Sequence, residues 1–200
     1  MQDLSNKAKN IVRADMVRII PLTKNFLENK KIIDIGCGSG LAALFMQNSF
    51  QNEISLCDVE DNRATEAKSL PFKLLTSKNK LPYLDNEFQI SYLQYVIHHL
   101  DIDIKSFFTE IFRISSEAMV IVEEVYEDDG KMDLYKSLDH SSNQLLHPNS
   151  SFPVVNFLKA DELKEMAEQS GWSLANFKKI ENIGYMSVGI YTFVKNSTVI

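Results

Sequence analysis

The sequence predicts an α/β protein, one domain over residues 1–200 built on a mostly parallel seven-stranded sheet with helices on both faces. Three observations carry this. Residues 31–45 read as strand, glycine turn and helix, with Ile32, Ile33 and Ile35 forming a short apolar run of the kind buried on both faces. Further apolar runs alternate with helix-period segments as far as Ala118-Met-Val-Ile-Val-Glu123, the most continuous strand signal in the chain. Finally, 200 residues with 44% hydrophobic content can fill one sizeable core but not two ordinary domains.

Taken in order, residues 1–28 are a helical lead-in, with Ala8, Ile11, Val12, Met16, Ile19 and Ile20 near helical spacing and Pro21 forcing a break. Its arginines, Arg13 and Arg18, read better as part of a cover over the sheet than as substrate contacts. The first strand is 31–35, followed by the turn Gly36, Gly38, Gly40 and a helix beginning at Leu41. Glu53 to Asp58 is the second strand, Ala64 to Leu70 a short helix stopped by Pro71, and Phe72 to Thr76 the third strand. A turn-rich approach at 81–88 leads to a fourth strand at Gln89–Leu93, a short helix carrying His98 and His99, and a helix at Ile104–Ile114. After the fifth strand, residues 127–156 lose regularity and hold Gly130, Pro148, Pro153 and a Ser/Asn/His-rich stretch. So long a connection reads as an acceptor-side insertion or lid. Asp161 to Gly171 is a helix, and Trp172–Ile180 and Gly189–Val194 are the last two strands.

Composition narrows the function. The net charge of −6 is spread without a basic block, which argues against a nucleic-acid footprint and favours a small partner. Cys37 and Cys57 supply neither a disulfide framework nor a four-thiol zinc site, and a cytoplasmic setting is the expectation. No apolar run approaches the roughly 20 residues of a membrane span. The sequence sets no oligomeric state.

The glycine turn lets a ligand approach the main chain, and Asp58, at the end of the second strand, is placed for the hydroxyls of a nucleoside ribose. A dinucleotide fingerprint needs a small residue where Leu41 stands, so a nicotinamide oxidoreductase is disfavoured; no Gly-Lys-Ser/Thr follows, so this is no P-loop. The run Asp34-Ile-Gly36-Cys-Gly38-Ser-Gly40 resembles motif I of the class I S-adenosylmethionine-dependent methyltransferases. Leu81-Pro-Tyr-Leu-Asp-Asn-Glu-Phe88 with Val96-Ile-His-His-Leu100 is similar to a region of their type 11, small-molecule group.

That resemblance implies a Rossmann-like three-layer sandwich with an antiparallel C-terminal strand, and S-adenosylmethionine as cofactor, leaving as S-adenosylhomocysteine. It also implies that Asp34, Gly36 and Gly38 line the methionine part, that Asp58 holds the ribose, and that Val59 and Ser77 lie by the adenine, with Cys37, Gly40, Leu93 and Gln94 as further cofactor-binding residues. Ser77 stands where the family often has an acid, Gln89 replaces a usual Asp, and Ser115-Ser-Glu-Ala118 replaces a Lys-Pro-Gly-Gly turn.

Methyl transfer from a sulfonium needs alignment and exclusion of water more than it needs catalytic groups. A base is required only if the acceptor loses a proton, and the available groups are His98, His99, His140, Glu123, Glu124 and Asp139, of which His99, Glu123 and His140 are the candidates. Asp139, His140 and Asn143 are the candidate substrate contacts. Adjacent His98 and His99 on one short helix are expected to point to different sides, so no metal site is expected. A non-catalytic cofactor- or partner-binding module of the same fold is the rival reading.

Overall fold

A computed structural model describes residues 16–126, 130, 132–146, 157–183 and 186–195. Seven strands form one sheet: β1 (Lys31–Ile35), β2 (Glu53–Asp58), β3 (Phe72–Leu74), β4 (Phe88–Gln94), β5 (Ser115–Val125), β6 (Trp172–Ile183) and β7 (Met186–Lys195). Their order is β3-β2-β1-β4-β5-β7-β6. β1 to β5 pair in parallel, whereas β7 is antiparallel to both β5 and β6, as the resemblance implies. From β1 the chain builds outward through β2 and β3, then crosses back to place β4 on the other side of β1. Strand order therefore reverses between β1 and β4, and the crevice outside their C-terminal ends is where such sheets bind ligands.

The longer helices among the described residues are α1 (Leu41–Phe50), α2 (Ile104–Ile114), α3 (Met132–Leu146) and α4 (Ala160–Gln169). The two-residue period of β1 divides the core. Ile33 and Ile35 join one cluster with Phe107, Phe108 and Ile111 of α2 and Leu163 and Ala167 of α4, while Ile32 joins another with Ala43, Met46 and Phe50 of α1. Helices thus cover both faces. α2 buries Ile104, Phe107, Phe108, Ile111 and Ile114 along one stripe, and Asp103 caps it by accepting from Lys105 N and Ser106 N. Trp172, at the start of β6, closes that layer by donating its indole N–H to Phe108 O at 3.1 Å.

Several elements depart from the sequence reading. The lead-in carries a 3-10 turn at Ile20–Thr23, where Pro21 breaks the α pattern, then one helical turn at Lys24–Leu27. Arg18 is exposed, and residues 1–15, Arg13 among them, lie outside the described part. The short helix expected at 64–70 contracts to a 3-10 turn at Thr65–Ala67. β3 stops at Leu74, because this edge strand has only β2 to pair with.

The largest correction concerns residues 127–156, expected to be irregular. They contain α3, fifteen residues without Gly or Pro. Met132 and Tyr135 pack on Tyr126 and Phe157, which supplies the apolar contact that a polar sequence hid. Residues 147–156, with His147, Pro148 and Pro153, lie outside the described part.

The turn-rich approach to β4 is held by one side chain. Arg113 donates to Leu81 O and Tyr83 O and pairs with Asp85 and Glu110, while Leu81 N donates to Glu110 Oε1 at 2.7 Å. Gln89 works at the N-terminal edge of the sheet, where its Oε1 accepts from Lys31 N at 2.9 Å and its Nε2 donates to Glu117 Oε1 at 2.7 Å. This residue is at the opposite end of β4 from the crevice.

Candidate active site

The glycine turn leaves β1 and is tied to β2. Gly36 N and Cys37 N both donate to Cys57 O, and Gly38 N donates to Asp58 Oδ2 at 2.8 Å. Gly36 has φ 70° and a Cβ there would stand 2.7 Å from Val96 Cγ2, so both its conformation and its packing require glycine. Gly38 differs. With φ 50° it has nothing within 4 Å of an added Cβ, so its face is open to a ligand approaching the backbone. Gly40 precedes α1, whose N-terminal N–H groups meet the same turn.

Two carboxylates flank this turn. Asp34 is 2% exposed and its Oδ2 has no hydrogen-bond partner. Burial first, and the charge of Asp58 second, push its pKa up to about 7. Asp58 is 8% exposed and already engaged, since Oδ1 accepts from Val59 N at 2.7 Å and Oδ2 from Gly38 N. It clamps the turn. A carboxylate oxygen has a second lone pair, so Oδ2 can still take a hydroxyl. Cys37 and Cys57 are buried; burial above all pushes the Cys37 thiol upward and the Cys57 thiol up to about 12, so both are inert packing groups.

The remaining predicted cofactor residues are unequal. Val59 is 38% exposed beside Asp58. Ser77 is exposed and its Oγ accepts from Asn79 N at 3.2 Å. The Leu93 side chain belongs to the core cluster, which leaves only its backbone for a ligand. Gln94 Oε1 accepts from Tyr92 Oη at 2.9 Å. Directly after it Tyr95 has φ 57°, the left-handed conformation that non-glycine residues adopt at a cost and that gathers at functional sites.

Beyond the C-terminal ends of β4 and β5 lies a buried polar cluster. Glu123 Oε2 accepts from Ile97 N at 2.8 Å and its Oε1 meets His98 Nδ1 at 2.5 Å. His98 is 1% exposed, stacks on Phe157 and has Asp139 Oδ1 3.5 Å from its Nε2. Burial opposes a charged imidazole here, yet Glu123 and Asp139 outweigh it and raise the His98 pKa well above its ordinary value. Asn143 donates to Asp139 Oδ2 at 2.8 Å and lies 3.4 Å from His99 Nε2. Glu124, whose Oε2 is buried without a partner, has a pKa raised to about 8, by burial first.

Of the candidate catalytic residues, His99 and Glu123 are brought together here and His140 is not. His140 is exposed and contacts Gln144 on the outer face of α3. Asp139 and Asn143, one helical turn apart, face inward. The expectation that His98 and His99 diverge fails: their ring centroids are 3.9 Å apart, at the end of the 3-10 turn Ile97–His99. Sequence reasoning named His98 among the available groups but not among the candidates. Its carboxylate partners come from β5 and α3, and no local spacing signals that pairing.

The residues at β1 and β2 suit a nucleoside cofactor carrying an ammonium group: the open backbone at Gly38, the unpaired buried oxygen of Asp34 and the apolar Val59 beside Asp58. Fold and site together define a Rossmann-like α/β protein whose switch-point crevice suits such a cofactor. A methyltransferase-domain family model matches residues 10–176, so the chain belongs to that family: it is an S-adenosylmethionine-dependent methyltransferase, and S-adenosylmethionine is its cofactor. No curated protein matches by sequence.

Solved structures share the fold. One assigned as a sarcosine dimethylglycine methyltransferase from Galdieria sulphuraria has 17% identity and a TM-score of 0.67, covering 92% of this chain and 86% of that one. Magnesium protoporphyrin IX methyltransferase from Synechocystis PCC 6803, with bound SAH, has 13% identity and a TM-score of 0.64 over 94% of this chain and 83% of its own. A SAM-dependent methyltransferase from Aquifex aeolicus has 14% identity and a TM-score of 0.63 over 94% and 98%. Among the described residues no helix is long and apolar enough to cross a membrane.

Proposed function

We propose that the acceptor is a small molecule, bound beyond the C-terminal ends of β4 and β5 beneath α3, with Asp34, Gly36, Cys37, Gly38, Gly40, Asp58, Val59, Ser77, Leu93 and Gln94 on the cofactor side. The observation that carries this reading is the buried cluster of His98, His99, Glu123, Asp139 and Asn143 at the crevice end of the sheet. Polar groups gathered at the crevice end of the sheet suit a compact polar acceptor, and the net charge of −6 does not suit a polyanion.

When bound, S-adenosylmethionine supplies a sulfonium-activated methyl group whose leaving group is already good. The protein's task is therefore alignment and exclusion of water. Ionised Asp34 balances the methionine ammonium, and Asp58 offers its remaining lone pair to a ribose hydroxyl while holding Gly38 in place. His99 is half-buried and able to take a proton from the acceptor, with Asn143 beside it. Glu123, occupied by Ile97 N and His98, acts as a positioning residue. His140 has no part in this arrangement.

The test is transfer of a radiolabelled methyl group to a panel of small hydroxyl-, amino- and carboxyl-bearing acceptors, with cofactor binding followed by calorimetry. Asp58→Asn is expected to weaken S-adenosylmethionine binding at least about tenfold; unchanged affinity would remove Asp58 from the ribose role. The rival, a cofactor-binding module without turnover, draws support from the exposed Ser77 but none from Gln89, which serves the far edge of the sheet. Retained cofactor affinity with no transfer to any acceptor would favour it.

A further inference from the structure

The geometry points to a divalent transition-metal site of the zinc type formed by His98, His99 and Asp139, joining the end of β4 to α3. One nitrogen from each histidine and a carboxylate oxygen of Asp139 lie within 4.8 Å of one another. His98 Nε2 is buried and makes no hydrogen bond, while Asp139 Oδ1 stands 3.5 Å away. Ligand atoms about 2.0–2.1 Å from a tetrahedral zinc ion are separated by about 3.4 Å, so this pair already has the spacing of one edge of such a site.

The surroundings have the arrangement that orients metal-binding side chains. Glu123 takes the opposite nitrogen, His98 Nδ1, and is itself fixed by Ile97 N, giving a carboxylate–histidine pair whose free nitrogen faces Asp139. Asn143 donates to Asp139 Oδ2, leaving Oδ1 for the ion. An ion bound at His98 Nε2 displaces the proton that Glu123 and Asp139 favour there, and its charge takes over the compensation of the two carboxylates. Two imidazoles and a carboxylate suit zinc or a neighbouring first-row ion better than magnesium or calcium, which prefer all-oxygen sites. Three protein ligands leave a fourth position for water, or, on the methyl-transfer reading, for an acceptor oxygen, and with the ion bound His99 serves as a ligand in place of the proton acceptor.

The experiment uses the full chain, tag removed and stripped with chelator, titrated calorimetrically with zinc chloride in the absence of S-adenosylmethionine. One ion per chain with a micromolar or tighter Kd is expected, together with a higher Tm. His99→Gln and Asp139→Asn should each weaken binding at least tenfold, whereas His140→Gln and Cys57→Ala should not. Cobalt substitution gives a reading on the unaltered protein, with tetrahedral visible bands and no thiolate charge-transfer absorption expected. Absence of saturable binding, indifference to both ligand substitutions, or a thiolate band would overturn the assignment. None of these readouts depends on cofactor binding or turnover, so the metal site and the small-molecule reading stand or fall separately.

Discussion

Asp34 is a buried acid beside a second carboxylate, and its pKa of about 7 makes it a pH-dependent group near neutrality. The folded value is raised above the unfolded one, so the native state binds more protons between about pH 4 and pH 7. Stability from this group is complete in acid and falls as pH rises through 7. Cofactor affinity runs the other way, because the ammonium group pairs with the ionised form. Calorimetric titration should therefore show S-adenosylmethionine binding strengthening from pH 6 to pH 8. In Asp34→Asn that pH dependence should disappear, affinity at pH 8 should drop at least about tenfold, and Tm at pH 8 should rise; an affinity that stays flat with pH in the unaltered protein would contradict the pairing. The residues of the glycine turn were legible because each is a local requirement of strand, turn and ligand. The engagement of Asp58 by Gly38 N was not, since it depends on how closely two strands' ends approach.

At the scale of elements, α2 shows how a cap and a stripe cooperate. Asp103 satisfies two N–H groups that a helix leaves unpaired, and the stripe from Ile104 to Ile114 anchors the helix on β4 and β5. Asp103→Ala is expected to lower Tm by roughly 2–4 °C without changing cofactor affinity, as thermal melts with and without S-adenosylmethionine would show. α3 is the contrasting case. Its sequence is polar enough to pass for a loop, yet its inner positions Met132, Tyr135, Asp139 and Asn143 recur at helical spacing. Those inner contacts with Tyr126, Phe157 and His98 are tertiary, and periodicity in apolar residues alone passes over a face that is half polar.

For the whole molecule, opposing titrations set a stability maximum on the acid side of neutrality. Arg113 and Lys30 hold Glu110 and Glu117 below their ordinary pKa, and that contribution is lost as pH falls through the depressed values. Asp34 acts in the opposite sense above pH 4. Thermal melts across pH 3 to 9 should therefore peak near about pH 5, and a Tm still climbing at pH 8 would contradict the balance. Arg113 ties α2 to the turn before β4, so the acid limb loosens the frame that delivers β4 to the crevice.

The sequence by itself determined the parallel α/β frame, the glycine turn and the class of cofactor, because buried strands, glycine conformations and an acid at a strand end are signals written within a few neighbouring residues. Strand limits moved by a few residues where pairing partners, invisible in one segment, extended β5, β6 and β7 or shortened β3. Only the tertiary structure decided which polar residues meet at the acceptor end. It joined His98 to Glu123 and Asp139, left His140 on the outer face and removed Gln89 to the far edge. The physical reason is that the cluster's groups come from the turn after β4, from β5 and from α3. Their proximity is set by sheet register and by the apolar packing of α3, neither of which leaves a mark in local spacing.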